Sequence, residues 1–232
     1  MSAVEVYRKT RKTPDLFWNM YVCRPIAAVL VDGVKGTKIT PNQITLMAYA
    51  VAMAAAALLV FMPGYTGIVV AIAVYQASYV LDCADGMLAR WRGIQSTPGH
   101  LLDFLMDELK AFAILAATAV RLYLDSGSVF FLLLGLGGLV CLASGIAMTT
   151  FERRPEIAPP NPDGKAPAAP RSLVQRLVGV PFAVAKFLIH YPSYILVAAL
   201  LGRLELYFYP YVAVNALYML RSLAVVTLKF GR

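Results

Sequence analysis

An uncharged run of 43 residues, positions 39–81, constrains the fold of this chain more than any other feature. About 20 apolar residues are enough to cross a bilayer, so the run is too long for a single spanning helix. Proline and glycine at positions 63, 64 and 67 interrupt it and predict a turn. The run therefore predicts two membrane-spanning helices, 41–62 and 66–91, with Thr40 as N-cap and Pro41 in the first helical position.

The rest of the chain extends this pattern. Hydrophobic residues make up 59% of the sequence and charged residues only 15%, a balance typical of integral membrane proteins. Further apolar segments predict spanning helices at 99–124, 129–150, 190–202 and 205–228. We therefore expect an all-α integral membrane protein with six transmembrane helices, and we assign residues 37–232 to this domain.

Residues 1–36 are expected to form a separate N-terminal part, a basic tail followed by an interfacial amphipathic helix. Apolar and polar positions are mixed too finely between 14 and 34 to cross a bilayer, but they can present one apolar face. We expect a bend at Pro25, and the alternative is a helix packed on the rest of the protein. The expected apolar face comprises Leu16, Phe17, Met20, Ile26, Val29 and Leu30.

A proline-rich stretch follows the fourth predicted span. Residues 155–170 predict an irregular cytosolic loop, and the amphipathic, basic segment 171–189 predicts a second interfacial helix.

The distribution of basic residues predicts the orientation. Of the 21 lysines and arginines, only Arg121 and Arg203 fall near one of the two predicted membrane faces. The positive-inside rule then places both termini in the cytosol. Basic residues that flank spans and meet anionic headgroups also explain the net charge of +8, so we expect no nucleic-acid partner.

Four carboxylates, Asp82, Asp85, Asp103 and Asp107, lie beside hydrocarbon, where ionised groups are costly and indicate a functional site. The spacings i, i+3 and i, i+4 give each pair one helix face, and the predicted topology brings both pairs to the same cytosolic depth. No histidine or cysteine is suitably placed, so an all-oxygen ligand set favours Mg²⁺, Mn²⁺ or Ca²⁺. Four carboxylates are enough for a two-metal cluster of the kind that clamps phosphate esters.

The neighbouring residues fit a phosphate substrate. Gly86 allows close approach to the backbone, Ala89 keeps the same face open, and Arg90 offers a fork of donors for phosphate oxygens. Taken singly, each has a plainer explanation: small-residue helix packing for Gly86 and Ala89, and membrane-interface anchoring for Arg90. We interpret Arg92 as such an anchor and expect Glu108 and Lys110 to form a local pair at the helix edge.

This stretch resembles the signature of the CDP-alcohol phosphotransferase family, also called CDP-alcohol phosphatidyltransferases, at every fixed position. The matching array is Asp82-x2-Asp85-Gly86-x2-Ala89-Arg90-x8-Gly99-x3-Asp103-x3-Asp107. The opening of the first span, Thr40-Pro41-Asn42-x2-Thr45, is similar to the family as well. The motif-level resemblance covers residues 37–110.

The resemblance implies a membrane enzyme of phospholipid biosynthesis that uses two Mg²⁺ or Mn²⁺ ions and displaces CMP from a CDP-linked alcohol by attack of an acceptor hydroxyl. It implies that Asp82, Asp85, Asp103 and Asp107 bind the metals and that Asp107 is also the general base. It further implies that the CDP moiety is bordered by Gly86, Ala89, Arg90, Asn42 and Thr45.

Family members of this length usually use CDP-diacylglycerol, so the resemblance implies that donor. The acceptor is left open among inositol phosphate, inositol, glycerol phosphate, serine and phosphatidylglycerol. A phosphorylated acceptor needs a cationic pocket, for which Arg153, Arg154 and Arg221 are the candidates. Membrane anchoring is the alternative role for the first two.

Two other functions remain open from the sequence: an ion-coupled transporter with the buried acids as cation sites, and a catalytically silent scaffold. Small residues at Gly135, Gly137 and Gly138 make a homodimer plausible.

Overall fold

The computed structural model describes residues 2–12, 15–154, 156–157 and 192–231 and is helical throughout, with no strand among these residues. A π-helical turn, Asn19–Cys23, directly precedes the helix that begins at Arg24. The all-α expectation is therefore confirmed. The helices are α1 (Ala3–Thr10), α2 (Arg24–Val34), α3 (Pro41–Phe61), α4 (Gly64–Arg92), α5 (Thr97–Ser126), α6 (Val129–Glu152), α7 (Pro192–Leu200) and α8 (Glu205–Phe230).

Short polar motifs and a glycine define the start of α3, the end of α4 and the start of α5. A capping box opens α3: Thr40 Oγ1 accepts from the Gln43 N–H at 3.3 Å, and Gln43 Oε1 accepts from the Thr40 N–H at 2.9 Å. Gly93, at φ 68°, ends α4 in the left-handed conformation that glycine adopts without strain. Ser96 caps α5, so only a short turn separates the two helices that carry the acidic residues.

Four helices, α3, α4, α6 and α8, are long and apolar enough to cross a membrane. α5 has 30 residues but carries several ionisable side chains, and nine residues of α7 lie in the described part of the chain. An integral membrane protein is thus supported, whereas the count of six spans stays a prediction. The predicted loop and second interfacial helix between 158 and 191 lie outside the described residues.

The apolar core explains how α5 tolerates its charges. α5 packs against α3 and α6, and its fully buried Ile114 and Leu115 join one cluster with Leu59 of α3, Ile72 of α4 and Phe208 of α8. Neighbouring helices cover much of α5, which therefore does not need a lipid-compatible surface all round.

Two of the three glycines that we expected to support a homodimer are instead packed inside the protomer. A Cβ on Gly135 would lie 2.3 Å from Ala119 Cβ, and one on Gly138 would lie 2.8 Å from Val212 Cγ2. Gly137 meets nothing within 4 Å. These glycines let α6 approach α5 and α8, so only Gly137 is left to support the homodimer prediction, which this packing does not test.

The N-terminal part packs on the acid-bearing end of α4. Val6 of α1 and Val31 of α2 are fully buried in a second cluster with Met87 and Leu88 of α4. Large apolar side chains remain exposed on the outer face of this part, at Phe17, Tyr21, Ile26, Val29 and Leu30. The segment thus has a packed face and an exposed apolar face, and its position at a membrane interface stays a prediction.

Arg92 has a structural role that the sequence did not indicate. Its guanidinium donates to the carbonyls of Val34, Thr37 and Ile39, the first two at 3.1 and 2.9 Å. It therefore ties the end of α4 to the turn between α2 and α3, which makes it more than the interfacial anchor we expected.

Candidate active site

Three of the four predicted carboxylates converge. Asp82 and Asp85 of α4 and Asp103 of α5 each offer a carboxylate oxygen, and these oxygens all lie within 4.8 Å of one another. The spacing of three on α4 and the short turn at Gly93 bring the two helix faces together at this level. Like charges at this separation repel strongly, so the arrangement favours a bound cation.

Asp85 is the most firmly held of the three. It is 5% exposed, and one carboxylate oxygen accepts from the Thr45 hydroxyl of α3 while the other accepts from the Gly86 N–H. Thr45 and Gly86, both predicted to border the donor, thus also orient a carboxylate of the cluster.

Asp103 carries an unsatisfied group. Its Oδ1 is buried and has no hydrogen-bond partner. An unpaired carboxylate oxygen away from water is costly unless a ligand completes it, and carboxylate oxygens are the ligands that Mg²⁺ and Mn²⁺ prefer. The residues present therefore fit a divalent metal ion.

Asp107 lies one helical turn beyond this group and has a different environment. Its side chain is 50% exposed, and its Oδ1 is 2.7 Å from the Lys110 Nζ. Lys110 is 3% exposed and also pairs with Asp82 Oδ1. The expected pair between Glu108 and Lys110 is wrong: Lys110 turns into the acidic cluster, where it pairs with two carboxylates, those of Asp82 and Asp107.

A cavity of about 540 Å³ opens beside the carboxylates. It brings together every residue that the resemblance associated with CDP. Those lining residues are Asn42, Thr45, Gly86, Ala89 and Arg90, together with the four aspartates.

Close packing shapes this cavity at two glycines. A Cβ on Gly86 would lie 3.2 Å from Arg90 Nη1, so the guanidinium passes directly over the glycine. A Cβ on Gly99 would lie 3.2 Å from Asn42 Oδ1, which shows how closely α5 approaches the start of α3. Arg90 Nε also donates to the Thr10 carbonyl of α1 at 2.8 Å.

A second cavity, of about 330 Å³, lies on the other side of Asp107. Asp107 and Tyr79 line both cavities, so the two meet at the acidic cluster. Polar groups contributed by α4, α5, α6 and α8 face it: Ser78, Glu108, Thr149, Arg153, Tyr211, Asn215 and Tyr218.

The three arginines predicted for the acceptor are not equivalent. Arg153 lines the second cavity, whereas Arg154 and Arg221 line neither of the two cavities. All three arginines are exposed, so Arg153 differs from the other two only by its place at the second cavity. The structure thus brings Arg153 to the cluster and leaves the other two outside it.

Sequence reasoning gave no role at the site to three cations that line the cavities or hold the cluster, although Arg24-Pro25 resembles the inositol-phosphate-using branch of the family. They are Lys12, Arg24 and Lys110. Lys110 follows Asp107 by three positions and so shares its helix face, and this spacing could have predicted their contact. Lys12 and Arg24 reach the site only because the N-terminal part folds back onto α4. Local spacing cannot predict that contact.

Comparison with known proteins agrees with this geometry. A family model for CDP-alcohol phosphatidyltransferases matches residues 38–202. The chain belongs to this family. The matched region contains both acid-bearing helices and the whole aspartate array.

One curated protein that is similar to this chain is the bifunctional IPC transferase and DIPP synthase of Aquifex aeolicus (strain VF5), 34% identical over 104 residues. The alignment covers 45% of the present chain and 22% of the relative, so the chain spans only a small part of that protein's length. Membership in a family of phosphotransferases does not favour the ion-coupled transporter.

Proposed function

We propose that the protein is a membrane transferase that moves a substituted phosphate from a CDP-linked alcohol to an acceptor hydroxyl and releases CMP. The observation that carries this proposal is the convergence of Asp82, Asp85 and Asp103 within 4.8 Å, at a cavity that every predicted CDP-bordering residue lines. Family membership and the similarity to a transferase support the same reaction class.

In this proposal Asp82, Asp85 and Asp103 hold divalent metal, Mg²⁺ or Mn²⁺, and Asp107 completes a site for two ions. The buried, unpartnered Asp103 Oδ1 and the repulsion among the three carboxylates support such a ligand. When bound, the metal supplies neutralisation of the donor diphosphate and stabilises charge on the departing CMP.

The donor lies in the larger cavity. Gly86 and Ala89 leave room for the donor, and Asn42 and Thr45 of α3 form another part of the cavity lining. Arg90, held by the Thr10 carbonyl, directs its guanidinium across Gly86 toward phosphate oxygens. The donor we propose is CDP-diacylglycerol, whose acyl chains would extend into the bilayer beside the exposed apolar surface of the helices.

Asp107 is the proposed general base. It lines both cavities, and Lys110 holds its carboxylate beside the cluster without burying it. The acceptor oxygen attacks the phosphorus that carries the donor's alcohol, and the bond from that phosphorus to the bridging oxygen breaks. CMP leaves with the electron pair, and the acceptor proton passes to Asp107.

The acceptor lies in the second cavity, on the far side of Asp107 from the donor. Its many hydroxyl and amide groups suit a polyhydroxylated alcohol, and Arg153 provides one cation for an acceptor phosphate. Inositol phosphate, inositol and glycerol phosphate are the proposed acceptors. Arg154 and Arg221 would act only in guiding an anionic acceptor toward this cavity.

We further propose that α5 and α7 complete six membrane-spanning segments and that α2 lies at the interface with its exposed apolar face toward lipid. Both termini and both cavities then face the cytosol. Cysteine labelling from either side of sealed vesicles tests this orientation: a cysteine at Gly36 should react only from the cytosolic side, and one at Gly127 only from the opposite side.

The decisive experiment is an assay of purified protein with CDP-diacylglycerol, Mg²⁺ and the separate acceptors, scored for acceptor-dependent release of CMP. We expect release with one acceptor class, loss of release in EDTA, and recovery with Mg²⁺ or Mn²⁺. Full activity in metal-free protein would contradict the metal assignment. Cation flux across vesicles without CMP release would contradict the transferase.

A further inference from the structure

Arg24 is a buried cation in the wall of the larger cavity with unused hydrogen-bonding capacity. The residue is 7% exposed, it lines the cavity, and its Nη1 is buried without a hydrogen-bond partner. A guanidinium stays ionised at all physiological pH values and carries five donors. Leaving one of its nitrogens unpaired away from water is costly unless a ligand takes it up.

The local fold holds this side chain in place. The π-helical turn Asn19–Cys23 directly precedes Arg24, and Arg24 Nε pairs with Asp15 Oδ2. Asp15 Oδ1 in turn accepts from the Leu16 N–H at 2.9 Å and from Asn19 Nδ2 at 3.2 Å. Asp15 therefore satisfies one edge of the guanidinium and positions it, while Nη1 remains open.

The N-terminal part is anchored to the acid-bearing helix, so Arg24 keeps its position relative to the cluster. Tyr79 of α4 donates its hydroxyl to Asn19 Oδ1 at 2.6 Å. The cations Arg24, Arg90 and Lys12 line the cavity together with the aspartates. The cations require anionic oxygens, which a phosphate ester provides and an uncharged alcohol does not, and the aspartates require the proposed divalent metal.

We propose that Arg24 is a substrate-binding residue whose Nη1 donates to an oxygen of the diphosphate of the CDP-linked donor. This inference rests on the proposed function. The donor is favoured over the acceptor as the source of the phosphate because Arg24 lines the cavity with Gly86 and Arg90 and does not line the second cavity.

Binding measurements on the purified full chain, with Mg²⁺ present, test this assignment. The probes are CDP, CMP and cytidine, and the variant is Arg24→Gln. We expect the affinity for CDP to fall about 10- to 100-fold, as for loss of a hydrogen bond to a charged group, and the affinity for cytidine to stay unchanged. The matched control is Arg8→Gln, because Arg8 is exposed on α1 and does not line the cavity, and it should bind CDP as the wild type does.

A purely structural role for the pair with Asp15 predicts a different pattern. In that case the substitution would lower the affinities for CDP, CMP and cytidine to the same extent, and this result would overturn the proposal. An unchanged affinity for CDP would also overturn it. A second variant, Arg24→Lys, keeps the positive charge. We expect its CDP affinity to fall about tenfold while its thermal midpoint stays unchanged, which separates a loss of binding from a folding defect.

Steady-state kinetics distinguish the two sources of phosphate. An increase in KM for the CDP-linked donor supports the proposal, and an increase confined to a phosphorylated acceptor overturns it. Wild-type protein that binds CDP in an Arg24-dependent way but forms no product would refute the proposed function while supporting this site. Wild-type turnover with normal CDP binding by Arg24→Gln would refute only this site.

Discussion

The two ends of α5 use charged residues in opposite ways. At the far end, Arg121 donates to both oxygens of Asp125 and, through Nη1, to the Met62 carbonyl at 3.1 Å. At the acidic end, three carboxylates crowd within 4.8 Å, and Asp103 Oδ1 has no partner. The first arrangement is complete in itself, whereas the second is complete only with a cation, so the difference separates a structural ion pair from a binding site.

The largest expected effect comes from removing one charge at the acidic end. Asp103→Asn should lower turnover about a thousandfold or more, since it removes a metal ligand, and should leave stability unchanged or higher because repulsion with Asp82 and Asp85 decreases. CMP release and thermal unfolding measure the two quantities. Asp125→Asn makes the same change at the far end and should retain turnover. Equal losses in both variants would erase the contrast between the two ends.

Asp107→Asn should lower turnover about a hundredfold to ten-thousandfold, because general base catalysis is lost. The carboxylates of Asp82, Asp85 and Asp103 and the residues proposed to border CDP are unchanged in this variant, so we expect CDP binding to remain measurable. Single-turnover assays with saturating donor measure the rate of the chemical step, and calorimetry measures the affinity for CDP. Near-normal turnover would show that another group accepts the proton.

Lys110→Gln should have an intermediate effect, a fall of about 10- to 100-fold in kcat, because Asp107 and Asp82 lose the ammonium that aligns them. Without that competing cation, we also expect Mg²⁺ alone to raise the thermal midpoint more than in the wild type. A metal titration in the absence of substrate measures this. An unchanged kcat with an unchanged response to Mg²⁺ would mean that Lys110 only fills space.

The smallest effect on chemistry is expected at the far end. Arg121→Gln should cost about 1–3 kcal/mol of stability, because Asp125 and the Met62 carbonyl lose their shared donor, while turnover changes less than about twofold. On the same preparation, thermal unfolding measures the stability and CMP release measures the turnover. A large fall in kcat at an unchanged midpoint would show that the far end also contributes to the reaction.

Much of the fold could be predicted because lipid imposes simple rules. The capping box at Thr40 and the glycines after α4 and α5 set boundaries that the sequence shows directly, and the predicted helices agree closely with α3, α4, α5 and α6. The span count could not be settled in this way. Whether α5 crosses the membrane depends on which of its faces other helices cover, and this is a property of the packed bundle.

The candidate site could also be predicted only in part. The i, i+3 and i, i+4 spacings on two consecutive helices were sufficient to predict that Asp82, Asp85 and Asp103 meet. The partners of Lys110 were predicted wrongly, since a lysine side chain can reach either edge of its helix and burial beside Asp82 decided between them.

By itself, the sequence determined the helical class, the acid-bearing helix pair and the family, because each follows from local spacing and from the cost of charge near lipid. Only the tertiary structure decided that the N-terminal part supplies Lys12 and Arg24 to the cavity and holds Arg90 through the Thr10 carbonyl. It also decided that Asp107 stands apart from the other three carboxylates and that a second cavity meets the first there. These features arise from contacts between segments distant in the chain. Such contacts depend on how whole helices pack, and no local pattern encodes them.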